Sequence, residues 1–457
     1  MDTIWLPDLQ DAGRSKYTRL VAALRKAVAE GLLKSGEKLP PVRDLAFRAA
    51  VTPGTVARAY KVLVDEGVLH AEVGRGTFVA SHKPVPIAQD WPEVVTFRSP
   101  SLPDGGQVAM LRDLMRQQAE DLPFDELMAY PGRAHDGALR TALAKRLSHE
   151  ALGPITPEDM VLCHGGQSGL VMIMQTVLKG PDPVVVVEKL AYPGFRRAAE
   201  LNRARVIGIG TDDEGPLPDE LEAAVRDHGA QLFLTSADVN NPTLRRTSSR
   251  RRHEIAAVAR RYGLHVVDDD CYTVAQLEQE GYRAILPDLG WYLSSFSKVL
   301  TPALRIGYIA APDGHAKDMA RTAAFTHFGM ARPMADLGAR ILNDPRLPGI
   351  RARVHEKIAD RVRQAVNHLG GHDLSWSEDV QFLWLRLPFG WRSSGFVRAA
   401  QSRGVILKSS EDFVLRDDRA PHAVRLAING QVSQGCYEDA LRKVRALLDN
   451  PSEEMTV

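Results

Sequence analysis

One run near the middle of the chain has residue types suited to covalent chemistry: Ser294-Ser295-Phe296-Ser297-Lys298-Val299-Leu300-Thr301-Pro302-Ala303-Leu304-Arg305-Ile306-Gly307. The apolar residues Trp291-Tyr292-Leu293 just before it read as a strand, which puts Lys298 on the loop at the strand's exit. A lysine there, flanked by hydroxyls and followed seven residues on by Arg305, suits a Schiff base to an aldehyde cofactor. Partial burial favours the neutral amine, which is the nucleophilic form. The hydroxyls and the Arg305 guanidinium can hold a phosphate, the arginine through a two-pronged contact. A lone lysine after a strand is ordinarily a solvated surface residue, so the reading depends on agreement with other strand ends.

Four other ends agree. Residues 160–163 run into His164-Gly165-Gly166-Gln167-Ser168 and then a helix, whose N-terminus offers free N–H groups and partial positive charge to a phosphate. Plain turn chemistry is the alternative there. Residues 184–187 lead to Tyr192-Pro193-Gly194, where the tyrosine ring suits either an aromatic cofactor or simple packing. Residues 232–235 lead to Asn240-Asn241-Pro242-Thr243; an Asn fixed by a Pro is a good donor to a phenolic oxygen, or an ordinary turn. Residues 265–268 end in Asp268-Asp269-Asp270-Cys271-Tyr272. No His, Cys or Glu set at ligand spacing accompanies these carboxylates, which argues against a metal. A single buried Asp would instead keep a pyridine nitrogen protonated and make that ring an electron sink.

The elements that must position these residues alternate. From Val94 onward short β-branched runs (160–163, 184–187, 205–208, 232–235, 265–268, 290–293) interleave with helical stretches such as 169–178, 218–228 and 249–262. That order predicts an α/β fold with a mostly parallel sheet and helices on both faces, its ligands at the carboxyl ends of the strands. The first eighty residues differ. Apolar residues at helical spacing fill 15–33, Leu39-Pro40-Pro41 opens a second helix, and Thr52 and Pro53 suit the N-cap and first turn of a third. Alternating residues 68–72 and 77–80 around Val73-Gly74-Arg75-Gly76 then read as a hairpin, giving a helix-turn-helix with a β wing. Residues 81–93 carry three prolines and read as a linker.

The stretches GEKLPPVRDLA, VTPGTVARAYKVLVDEGVL and GRGTFV resemble the winged helix-turn-helix of the GntR regulator family over about residues 14–80. The resemblance implies DNA contacts from Arg43, Thr52, Thr55, Arg58, Gly74 and Arg75. Hydroxyls and amides at a helix N-terminus suit phosphate oxygens, and arginine can fork onto a guanine edge. A small helical interaction domain with surface arginines is the plainer alternative.

Residues from about 96 to 447 resemble fold-type I aminotransferases that use pyridoxal 5′-phosphate. By position, the resemblance makes Lys298 the Schiff-base lysine and Asp269 the pyridinium partner. It puts Asn241 and Tyr272 on the ring oxygen, Tyr192 on the ring face, and Gly166, Gln167, Ser295, Ser297 and Arg305 in the phosphate cup. Tyr130, in Tyr130-Pro131-Gly132, resembles the tyrosine that reaches the neighbouring subunit's phosphate, which implies a homodimer. Arg425, in Val424-Arg425-Leu426-Ala427, resembles the arginine that forks onto an α-carboxylate. Leu244 departs from the family, which usually has Gly after Asn-Pro-Thr.

The expected organisation is a winged helix-turn-helix at 10–80, a linker at 81–95, a large cofactor-binding domain at 96–335 and a small domain at 336–450. This order resembles the MocR subgroup of GntR regulators. It implies a cofactor-dependent regulator of transcription that senses an amino compound or pyridoxal phosphate itself, built as a dimer that is swapped if the short linker allows. A working aminotransferase carrying a winged domain, and a scaffold without cofactor, are the alternatives. Composition is that of a soluble globular protein: 44% hydrophobic, 25% charged, net charge +1. With so little excess charge, a DNA reading must rest on motif. Three scattered cysteines fit a reducing compartment, and MDTIWLPDLQ lacks the apolar segment of a signal peptide, so the expectation is cytoplasmic. The run Arg245-Arg246 with Arg250-Arg251-Arg252 reads either as a second DNA-facing patch or as a solvated helix start.

Overall fold

The computed structural model describes residues 16–29, 32–34, 36–65, 68–72, 76–79, 94–133, 135–272, 277, 279–416 and 418–450. They belong to two compact units, Met1–Trp91 and Pro92–Val457. Among the described residues no helix is long and apolar enough to cross a membrane.

In the first unit, helices Lys16–Ala29, Val42–Arg48 and Pro53–Asp65 precede the antiparallel pair Leu69–Glu72 and Gly76–Val79. Leu20, Leu24, Leu45, Val56, Ala59 and Leu63 meet in its core, each buried Leu or Val contributing about 1.5–3 kcal/mol. The Tyr60 hydroxyl donates to the Pro40 carbonyl at 2.9 Å, tying the third helix to the start of the second. Leu39 N–H donates to the Thr77 carbonyl at 2.8 Å, which pins the wing to the same segment. Thr52 caps the third helix: its Oγ1 accepts from the Thr55 N–H at 3.2 Å. Removing that cap costs about 1 kcal/mol. Thr52→Ala should therefore lower the urea stability of this unit by about that amount, read from the first phase of a circular-dichroism titration.

The second unit is built on a seven-stranded sheet in the order Met160–Cys163, Gly307–Ala310, Gly290–Ser295, His265–Asp269, Leu232–Thr235, Val184–Glu188, Arg205–Ile209. All pairings are parallel except the two made by Gly307–Ala310. Six of the strands lie where alternation with helices predicts them; Gly307–Ala310 is the addition. It is four residues long and buried on both faces, so it carries no period-two signal. Helix Ser249–Tyr262 starts on a Ser248 cap and ends at Gly263, whose φ is +67°.

A smaller antiparallel sheet, Leu374–Ser375, Phe382–Arg386, Ala423–Ala427 and Lys408–Ser409, completes the unit with helices Leu347–Leu369, Ser393–Ser402 and Gln434–Asp449. The strand Val95–Thr96 pairs in parallel with Val405–Ile406, and the Ala427 N–H donates to the Phe97 carbonyl at 2.8 Å. The segment that opens the unit thus runs along its smaller lobe, and helix Arg332–Asn343 passes through residue 335.

The arginine run divides: Arg246 and Arg250 are exposed, as a solvated helix start predicts, whereas Arg251 and Arg252 are buried in ion pairs. Arg252 is fully buried, with its guanidinium on Asp238 at 2.9 Å and on the Thr247 and Glu280 carbonyls. Arg251 is buried on Asp212 at 2.8 Å. Arg245, Arg246 and Arg250 pair with Asp213, Asp379 and Glu214. Acidic partners arriving from distant loops are invisible to a local count of charges.

Candidate functional site

Gly166, Gln167, Tyr192, Asp269, Tyr272, Ser295, Ser297, Lys298 and Arg305 line one cleft at the carboxyl ends of the large sheet's strands. Lys298 closes a short 3-10 turn, Phe296–Lys298, directly after Gly290–Ser295. Its Nζ lies 5.8 Å from the Tyr272 ring centroid. Burial lowers its pKa from the ordinary lysine value, and the Arg425 charge pushes the same way. The amine is thereby biased toward its nucleophilic form.

The three consecutive aspartates go separate ways. Asp268 accepts from the Ala237 N–H at 3.0 Å and is pushed up to about 8, first by burial and then by Asp238, with Arg252 opposing. Asp270 accepts from the Tyr292 hydroxyl at 2.7 Å. Asp269 alone lines the cleft; it is buried, its Oδ1 has no N–H or O–H partner, and burial pushes it up to about 6 against an opposing hydrogen bond from the Cys271 thiol. An acceptor left unmatched in a buried position is costly unless a donor arrives.

Asn241 sits behind Tyr272. Its Nδ2 donates to the Tyr272 hydroxyl at 3.3 Å, and its Oδ1 accepts from Arg425 Nη1 at 2.8 Å. Arg425 is buried between the Phe382 and Phe413 rings, Cζ 5.3 Å and 5.2 Å from their centroids, and its Nε has no partner. At the other end, Arg305 donates to Ser297 Oγ at 3.4 Å and to the His164 carbonyl at 3.3 Å. A side chain at Gly165, where φ is +84°, would come within 2.4 Å of the Arg305 guanidinium. The Tyr192 hydroxyl donates to Gln167 Oε1 at 3.3 Å.

Two assigned groups of residues lie elsewhere. Tyr130 is not in this cleft; it is 81% exposed, with its ring 5.7 Å from that of Phe328. In the first unit Arg43 is exposed on the second helix, and Thr52 and Thr55 share the N-terminus of the third with their hydroxyls 2.9 Å apart. Arg58 is exposed and stacks on Tyr17, Cζ 4.4 Å from the ring centroid. Gly74 and Arg75 lie outside the described residues.

The cleft also holds Ser236, Cys271 and Pro302, which motif reading did not single out. Cys271 was within reach, because it lies two residues past Asp269, the last residue of its strand. Glu188 and Gln381 act from behind. Glu188 accepts from Thr235 Oγ1 at 2.6 Å and from Asn240, fixing the neighbour of Asn241. Gln381 donates to the Lys298 carbonyl from the small lobe. Leu244 keeps the backbone shape that a glycine would give: φ is +61°, and its N–H donates to the Asn240 carbonyl at 2.8 Å. Its side chain packs near Phe382 and Trp384, which offsets the strain.

A fold-type I sheet with a lysine at the exit of one strand and a buried carboxylate at the end of the next defines a pyridoxal-phosphate class of site. The comparisons agree. Residues 92–430 match the family "Aminotransferase class I and II", and residues 16–79 match "Bacterial regulatory proteins, gntR family". The chain belongs to the aminotransferase class I and II family, with a GntR-family module in front of that region. It is 25% identical over 451 residues to the uncharacterized HTH-type transcriptional regulator YdeF of Bacillus subtilis, covering 98% of this chain and 97% of the relative. It is 27% identical over 323 residues to the HTH-type pyridoxine biosynthesis transcriptional regulator PdxR of Corynebacterium glutamicum, covering 66% and 67%. Kynurenine aminotransferase of Pyrococcus horikoshii superposes with a TM-score of 0.70 at 21% identity, over 80% of this chain and 92% of that one, which establishes the fold.

Pyridoxal 5′-phosphate is the cofactor this family uses, and the donor set fits it. Asp269 Oδ1 lacks a partner that a ring nitrogen's proton would supply. The helix N-terminus at Gly166, with Ser295, Ser297 and Arg305, could hold the phosphate. Lys298 is close enough to share the cleft with both.

Proposed function

We propose that the chain is a pyridoxal-phosphate-dependent regulator of transcription of the MocR subgroup, binding DNA through its front module. It senses an amino compound, or pyridoxal phosphate itself, through the aminotransferase-like unit. The observation that carries the reading is a capped recognition helix with its wing in the same chain as a cleft holding a half-buried lysine and a buried carboxylate with one oxygen unpartnered.

Bound in the cleft, the cofactor supplies an aldehyde at which the lysine amine can be exchanged for a ligand amine. The chain's own residues do the rest. Lys298 gives up and regains a proton at Nζ. Asp269 holds the ring nitrogen's proton, Asn241 and Tyr272 hydrogen-bond the phenolic oxygen, and Tyr192 covers the ring. Gly166, Gln167, Ser295, Ser297 and Arg305 hold the phosphate, and Arg425 receives the ligand's carboxylate. Closure of the small lobe would change the spacing of two DNA-reading modules, and dimer spacing selects half-sites.

The reading includes a cytoplasmic homodimer in which Tyr130 reaches the partner's phosphate. Supporting it are exposed apolar side chains, Phe124, Leu127, Met128, Tyr130, Phe325 and Phe328, of the kind that subunits bury, with the Tyr130 and Phe328 rings in contact. Swapping of the front modules is compatible with residues 81–95, which span at most about 50 Å when extended. In a mobility shift on the DNA upstream of its own gene, Arg43→Ala should weaken binding about 5- to 100-fold, the range for a lost arginine–base contact. Undiminished binding by the variant would remove Arg43 from the interface. A working aminotransferase is the second reading, favoured by the completeness of the cleft; quantitative release of a keto acid without DNA binding would decide for it.

A further inference from the structure

Lys408 is a half-buried cation for which the roles above have no use. It lies on the short strand Lys408–Ser409, directly opposite Arg425 across an antiparallel pair. Arg425 is in turn opposite Trp384 on the next strand. Residues opposite one another project from the same face of a sheet, so the three side chains form one row. That face looks into the site, because Arg425 holds Asn241. The Lys408 Nζ is 4.7 Å from the Phe413 ring centroid, and the Arg425 Cζ is 5.2 Å from the same centroid.

Like charges opposite each other on a sheet are destabilising. Among the described residues neither cation has a carboxylate within ion-pairing distance. Burial pushes Lys408 down to about 8, Arg425 adds to the push, Asp412 opposes it, and Arg197 and Arg98 add again. Arg98 is anchored here through its carbonyl, which accepts from Arg425 Nη2 at 2.5 Å. Arg197 belongs to helix Pro193–Leu201, the helix that begins directly after Tyr192. Lys408 and Arg425 side by side, with Asp412 the carboxylate that acts on Lys408, leave this face of the small sheet with excess positive charge.

We propose that this row makes the site selective for an amino acid with a second anionic group: Arg425 takes the α-carboxylate and Lys408 takes the side-chain anion. The inference rests on the reading of the cleft as a sensor of amino compounds. The test is a titration of the cofactor-loaded full chain with L-aspartate and L-glutamate against their uncharged isosteres L-asparagine and L-glutamine. Binding is followed by the visible absorbance of the bound cofactor and, separately, by the melting temperature. The acidic members should half-saturate at concentrations at least about 10-fold lower than the isosteres, the scale of one charge-assisted contact. Lys408→Met should narrow that gap to within about 2-fold. Isosteres binding as tightly as the acids in the wild type, or a variant that weakens both alike, overturns the second-anion assignment and leaves the sensor reading standing. No response to any of the four amino acids overturns the second-anion assignment and removes these α-amino acids as ligands of the cleft.

Discussion

Lys298→Ala, reconstituted with pyridoxal phosphate, should give a colourless protein where the wild type shows a visible absorption band, and borohydride should fix no cofactor to it. Among the described residues Lys298 is the one amine lining the cleft, and no neighbour lining it can replace its chemistry. Folding should survive the change. The wild-type amine is held below its ordinary pKa by burial, so removing it relieves a desolvation cost instead of leaving a charge unpaired. The melting temperature of the apo variant should therefore match or exceed that of the apo wild type. A band of wild-type intensity in the variant would remove Lys298 from the centre of the site. The pH dependence has a definite sign: protonation blocks the amine, so reconstitution should slow as pH falls, with a midpoint below the ordinary lysine value.

Asp269→Asn should separate the two states of the protein in opposite directions. The wild-type carboxyl is raised from its ordinary 3.8 to about 6 in the folded chain. A group raised on folding leaves full stability below its unfolded pKa and removes it as pH rises through the folded value, here about 3 kcal/mol in all. The apo Asn variant escapes that loss. At pH 7.5 it should be about 2–3 kcal/mol more stable than the apo wild type, and at pH 5 about half as much. With cofactor the order reverses, because the ring nitrogen loses its charged partner. Affinity for pyridoxal phosphate should fall about 10- to 100-fold, as expected for a charge-assisted hydrogen bond. Urea melts of both forms at the two pH values measure the first effect, and equilibrium dialysis the second. An apo variant less stable than the wild type at pH 7.5 would contradict the burial of an unmatched carboxylate.

How much was legible in the residues depended on how local each signal is. Thr52-Pro53 announces a helix start because capping involves only the next three residues. The β-branched runs announce strands because a strand buried on both faces must be apolar throughout. Lys298, Asp269 and Asn241 could be read because each stands beside a strand end, and strand ends in such sheets converge. The Gly307–Ala310 strand was not legible, since its antiparallel insertion depends on what the sheet leaves open between Met160–Cys163 and Gly290–Ser295. Nor was the fate of Arg251 and Arg252, whose partners Asp212 and Asp238 are set by loops well upstream of the helix. Gln381 and Lys408 escaped for the same reason: they matter only through a lobe that folds back onto the sheet after more than eighty further residues. Tyr130 is the opposite case, recognisable as a motif yet without a role inside one copy of the chain.

The strand Val95–Thr96 carries a mechanical consequence. Its hydrogen bonds are to Gly404 and Ile406, in the small lobe, so the tether leaves the cofactor-binding unit from the lobe that would swing and not from the sheet that carries Lys298. Were that lobe to hinge, residues 94–97 would move with it and not with the large sheet.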